Sequence, residues 1–210
     1  SIIANSNQSE KYSPFLQEPY ELLIERLPQL LLTDSNKIIV QSLIFVSSLD
    51  GNLVSDSIIL AIFHCLPINF KKMHDSAFKI IRMNLDKIIS LLETSAIAEI
   101  IQGCFQSPQY NVKLHAHALL TQLMESIPII ELINPEDLFA FLDDPSMASM
   151  TLPTIISSIS AYERNGNTPA LLEVLSNNID NINELADNED ENVAQMANSI
   201  ISLYQNLSGN

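Results

Sequence analysis

The residues of this chain that could do chemistry are few and scattered. His115-Ala116-His117 offers two imidazoles. Two residues apart on a helix, they point about 200° away from each other and cannot chelate one ion. No carboxylate or cysteine pattern completes a metal set around them. They are read as surface or groove histidines. His64-Cys65 has the residue types of a nucleophilic dyad. Neighbouring helix positions diverge, however, and no oxyanion loop accompanies the pair. His64 is therefore expected to be a packed helix residue. Cys65 and Cys104 are the only cysteines and lack CxxC spacing, so they are expected to be reduced thiols in an intracellular protein. The run Asp187-Asn188-Glu189-Asp190-Glu191 resembles a calcium loop only in charge; it lacks the glycine and the spacing of about 12 residues. With 4 glycines in 210 residues, a phosphate-cradling loop has no place to form. These patterns predict no enzyme, no metal, no cofactor and no small-molecule substrate.

The charge distribution excludes another class. The net charge is −15, and residues 114–210 hold 14 acids against one base, Arg164. Residues 1–113 hold 11 acids and 9 bases. A nucleic-acid binder needs the opposite balance. An acidic half would repel phosphate and anionic membrane and attract a basic peptide or protein. The longest apolar run, residues 58–68, is broken by His64 and Pro67. It falls far short of the roughly 20 residues a membrane span requires. The opening Ser1-Ile2-Ile3-Ala4 carries no signal-peptide pattern, and its lack of Met suits a fragment or a processed form. The expected location is the cytoplasm, the nucleus or both.

The elements that would position these residues are helices. Apolar residues recur at spacings of 3 and 4 over most of the chain, and no alternating β pattern competes. Residues 21–32, 37–49, 53–66, 70–84, 85–92, 95–105 and 111–124 read as helices. Residues 128–133 and 136–142 read as short pieces, 146–162 as a long helix, and 168–175 and 179–186 as two segments before a terminal helix from Asn192. Pro28 and Pro153 should kink or split their helices, and Gly51 should end one. Before the last helix, Asn188 or Asp190 is expected to act as the cap, with Glu191 in the first turn. Five long helices carry a small residue four after an apolar one, at Ser42, Ala77, Ala116, Thr151 and Ala197. The steps between them, 35, 39, 35 and 46 residues, scatter around the repeat length of about 40 typical of stacked helical repeats. The fold expected is all-α, a right-handed solenoid of about five such repeats over residues 15–210, after a loose segment at 1–14.

The terminal unit, with Asn192-Val193-Ala194-Gln195-Met196-Ala197-Asn198-Ser199-Ile200-Ile201 after the acidic turn, resembles the last armadillo repeat of importin-α-like proteins. The resemblance covers about 25 residues. It implies an armadillo- or HEAT-like fold and a protein-transport or scaffold role. In that family the third helix of many repeats carries a Trp after the small residue and an Asn one turn on, which together bind a basic peptide. The matching positions here are Leu43 and Ser47, Phe78 and Arg82, His117 and Thr121, Leu152 and Ile156, and Asn198 and Ser202. They hold no Trp–Asn ladder, which points to a divergent relative with another peptide or protein ligand. All ten are the expected groove-lining positions, Leu43, Ser47, Phe78, Arg82, His117 and Thr121 foremost. Asp187, Glu189, Asp190 and Glu191 are the expected acidic contacts to a partner. The rival expectation is a fragment of a larger HEAT-type scaffold or coat subunit.

Overall fold

The structure is a computed structural model and describes residues 14–49, 54–68, 74–142, 145–166 and 168–209. Every regular element among them is helical. Contacts cluster into two compact units, Ser1–Leu91 and Leu92–Asn210. The expected loose start at 1–14 falls, but for Pro14, outside the described residues, as does Gly51.

The first unit contains α1 (Pro14–Leu31), α2 (Asn36–Ser47), α3 (Asp56–Cys65), α4 (His74–Met83) and α5 (Leu85–Leu91). α1 packs on α2 and α3, α2 on α4, and α3 on α4 and α5. The centre is α3, in which Ile58, Ile59, Ala61, Ile62, Phe63 and Cys65 are all buried. A helix apolar on nearly every side must be surrounded by others. The early part of α1 meets the late part of α2, where the Tyr20 and Phe45 rings sit edge to face 5.8 Å apart. These two helices therefore run antiparallel. The Cys65 thiol at the end of α3 donates to the Leu31 carbonyl at the end of α1, at 2.8 Å.

Pro28 does not split α1. Its ring removes one backbone bond, at a cost of about 3 kcal/mol. Leu27 and Leu31 stand on either side of it, both fully buried. Each contributes about 1.5–3 kcal/mol by leaving water, so the helical path that buries both wins. In α2 the core stripe is Ile39, Ser42, Leu43 and Val46, while Ile38 is 40% exposed.

The second unit contains α6 (Thr94–Phe105), α7 (Tyr110–Ser126), a 3-10 turn (Ile130–Leu132), α8 (Pro135–Phe139), α9 (Pro145–Asn165), α10 (Thr168–Ala186) and α11 (Glu191–Ser208). α7 packs on α6 and α9; α9 packs on α8, α10 and α11; α8 also touches α6 and α10. Asn134 caps α8 by accepting from the Glu136 N–H at 3.1 Å, with Pro135 at the first position, where its missing N–H costs nothing. Gln102 of α6 holds this start in place. It accepts from the Asn134 N–H and donates to the Asp137 carboxylate.

Two expectations are corrected in this unit. α9 runs unbroken through Pro153. Pro153 and Ser149, whose carbonyl it leaves without its usual helix bond, are both on the exposed side, and Leu152, Ile155 and Ile159 are buried opposite. Residues 168–186 form one helix rather than two segments. The polar stretch Ser176-Asn177-Asn178 lacks Gly and Pro, and the Asn178 side chain bonds back to the Val174 carbonyl within the helix. α11 begins as the sequence indicates. Asp190 accepts from the Asn192 N–H at 2.9 Å, Glu191 lies in the first turn, and Gly209 closes the helix at φ 75°. That left-handed turn suits a residue without a Cβ.

Candidate functional site

The seam between α7 and α9 is the most chemically distinctive place in the second unit. α9 presents Thr151, Thr154 and Ser158, spaced 3 and 4 so that they share one face, and all three are buried. Thr154 donates to the His117 carbonyl of α7 at 3.3 Å and shares a hydrogen bond with Thr121 at 3.1 Å. Ser158 donates to the Thr154 carbonyl of its own helix at 2.8 Å and lies 3.6 Å from the Met124 sulfur. Arg164 donates to the Met124 carbonyl at 3.2 Å. Numbers rise together on both helices, so α7 and α9 run parallel. These bonds fix their register where apolar packing alone would allow sliding.

His117 is the strained member of the seam. It is 1% exposed and lies against the Phe105 ring at 4.8 Å and the Phe141 ring at 5.2 Å. Neither ring nitrogen has a hydrogen-bond partner among the described residues, and the same holds for the Thr151 hydroxyl. Burial disfavours the imidazolium and pushes the His117 pKa down to about 4. The ring is therefore neutral at physiological pH, not a surface or groove histidine. His115, half-exposed, points elsewhere.

Beyond the hydroxyls the seam opens into a surface groove of about 440 Å³. Thr121, Met124 and Ile156 line it, with Ser160, Glu125, Glu163 and Arg164. A smaller hollow of about 230 Å³ adjoins it at the end of α7, between Ser126, Pro128 and Ala161, and shares Met124, Glu125 and Arg164. Binding clefts commonly hold about 300–1,000 Å³. Met124 and Ile156 supply the groove's apolar surface, and the polar lining, Ser157 included, carries two acids and one base.

Of the groove residues expected from sequence, Thr121 and Ile156 line this groove. Leu43, Phe78 and His117 are buried core residues that offer a ligand no surface. Ser47 and Arg82 are exposed, and the Ser47 hydroxyl is turned back onto the Leu43 carbonyl at 2.8 Å. Asp187, Glu189, Asp190 and Glu191 are exposed at the α10–α11 turn, with Asp190 engaged as a cap. Glu125, Glu163, Arg164 and the Thr154–Ser158 hydroxyls escaped sequence reading. Their signal was available: hydroxyls at 3 and 4 spacing inside an apolar stripe, and a lone base in an acidic stretch.

The remaining reactive groups are muted. Burial pushes the Cys65 thiol up to about 11 and the Cys104 thiol higher, so neither forms a thiolate near neutrality. His64 is exposed, against the packed position expected, while Cys65 is buried. Among the described residues no group of three or more His, Cys, Asp or Glu is placed to hold a metal, and no helix is long and apolar enough to cross a membrane. The chain matches no protein-family model and no curated protein sequence.

Proposed function

We propose that the chain is a non-enzymatic repeat scaffold that binds another protein or an extended basic peptide, with the groove between α7 and α9 as its principal contact. The observation that carries this reading is the groove itself: Met124 and Ile156 lie in it together with Glu125 and Glu163, in a stretch of 14 acids and one base. A lysine or arginine stem would cover the apolar side chains while its charged head reaches the acids. Alternate helices touch within each unit, α1 with α3 and α2 with α4, then α7 with α9 and α9 with α11. That order supports armadillo- or HEAT-like stacking of helices, and the reading extends it to a right-handed solenoid and a divergent importin-α-like transport adaptor working in the cytoplasm or nucleus. A second reading, one part of a larger structural scaffold, draws on Leu22 and Leu32 of the α1 region. They are 50% and 58% exposed, and a further helix would cover them.

Calorimetric titration of the chain with an arginine- and lysine-rich peptide, at low and physiological salt, tests the first reading. A Kd near 1 μM, about 8 kcal/mol of binding free energy, that survives physiological salt is expected. Binding confined to low salt would reveal only diffuse attraction to a −15 chain and would favour the structural scaffold.

A further inference from the structure

We propose that Arg164 is a built-in occupant of the α7–α9 groove, and that a cationic side chain of a bound segment displaces it. This rests on the peptide-binding reading above and adds a mechanism of regulation to the same site. Arg164 belongs to the last turn of α9, yet its guanidinium reaches across to the Met124 carbonyl near the end of α7. A helix carboxyl end carries partial negative charge and attracts a cation. α7 has no base in its own last turn, and Arg164 supplies one from the neighbouring helix. It lines both the larger groove and the adjoining hollow, so it stands where a ligand would lie.

The hold is incomplete. A guanidinium has five N–H donors, and the bond to Met124 engages one nitrogen. Glu125 and Glu163 share the groove with Arg164, but neither forms an ion pair with it among the described residues. Arg164 is also exposed, so it can swing into water without breaking the core. An incoming arginine or lysine could meet the carbonyl and the two acids together. The protein thus carries an internal copy of the charge it recognises, which raises the threshold for binding and favours segments with more than one base.

The test titrates Arg164→Ala and Arg164→Gln with the arginine- and lysine-rich peptide at physiological salt, with folding checked by circular dichroism. The expected result is an affinity gain of about tenfold, the equivalent of one charge-assisted hydrogen bond. Lys113→Gln removes a base of the same unit that lies over the Phe141 ring and not in the groove. It should gain less than about twofold, the scale of an exposed charge. Adding Glu125→Gln to Arg164→Ala should erase most of the gain. If the wild type binds and neither Arg164 variant binds tighter, or if Lys113→Gln gains as much, the displacement mechanism is wrong and the peptide-binding reading stands. If the wild type is silent and Arg164→Ala binds, the displacement mechanism is supported and the wild-type affinity expected above is overturned. If no variant binds, both fall.

Discussion

The two units bury polarity in opposite ways. The first is built on α3, with Ile58, Ile62, Phe63 and Phe78 fully buried and Ser42 and His74 as its buried polar residues among those described. The second buries Ser107, His117, Thr151, Thr154 and Ser158, most of them on the α7–α9 seam. Their charge differs too: 9 acids and 8 bases in residues 1–91, 16 acids and 2 bases in residues 92–210. Apolar packing is strong but tolerant of sliding. Buried hydroxyls satisfied across a seam are weaker individually but demand one alignment. The second unit holds α7 and α9 in register with such bonds, and the groove lies along that same seam.

Substitutions can sharpen this contrast. The largest effect belongs to the first unit: Phe63→Ala should destabilise it by about 3–5 kcal/mol through lost burial and a cavity, read from urea unfolding.

The second unit should respond to acid through His117. Its folded pKa, about 4, lies below the ordinary 6.5, so the unfolded chain binds the proton more readily. Stability from this group is present above pH 6.5 and lost as pH falls towards 4, by about 3 kcal/mol at most. His117→Leu should flatten that slope between pH 6.5 and 4 in denaturation series, and should raise stability by about 1 kcal/mol by removing two buried, unbonded nitrogens.

Smaller and opposite effects are expected at two positions along one face of α9. Thr151→Val replaces a buried hydroxyl that has no partner among the described residues and should stabilise by about 1 kcal/mol. Thr154→Val breaks bonds to His117 and Thr121 and should destabilise by about 1 kcal/mol. Equal shifts in both would contradict the register role given to Thr154. At the far turn, Asp190→Ala should cost about 1 kcal/mol through the lost cap of α11.

The helices were legible because their apolar spacing is strong. All five small residues singled out by their recurrence, Ser42, Ala77, Ala116, Thr151 and Ala197, are buried. The cap of α11 was legible only as Asn188 or Asp190, because both types serve turns and caps alike; Asp190 is the one that bonds the Asn192 N–H. The prolines misled only in suggesting a split, since local rules count the lost bond but not the flanking leucines and isoleucines that outweigh it. The site was mostly illegible. The ladder positions were chosen by analogy with a peptide groove, and Leu43, Phe78 and His117 face the core instead. A lone His among apolar neighbours looks the same in sequence whether it faces water or two phenylalanines. Glu125 and Glu163 read as ordinary surface acids, because only the parallel pairing of α7 and α9 brings them to one groove.

The account turns on the groove between α7 and α9 being where a basic partner binds. Chemical-shift mapping of the isotope-labelled chain, titrated with the arginine- and lysine-rich peptide at physiological salt, tests this most directly. Shifts concentrated at Thr121, Glu125, Ile156, Ser160, Glu163 and Arg164 are the predicted result. Shifts spread over the acidic surface, or centred on the Asp187–Glu191 turn with the groove silent, would contradict it.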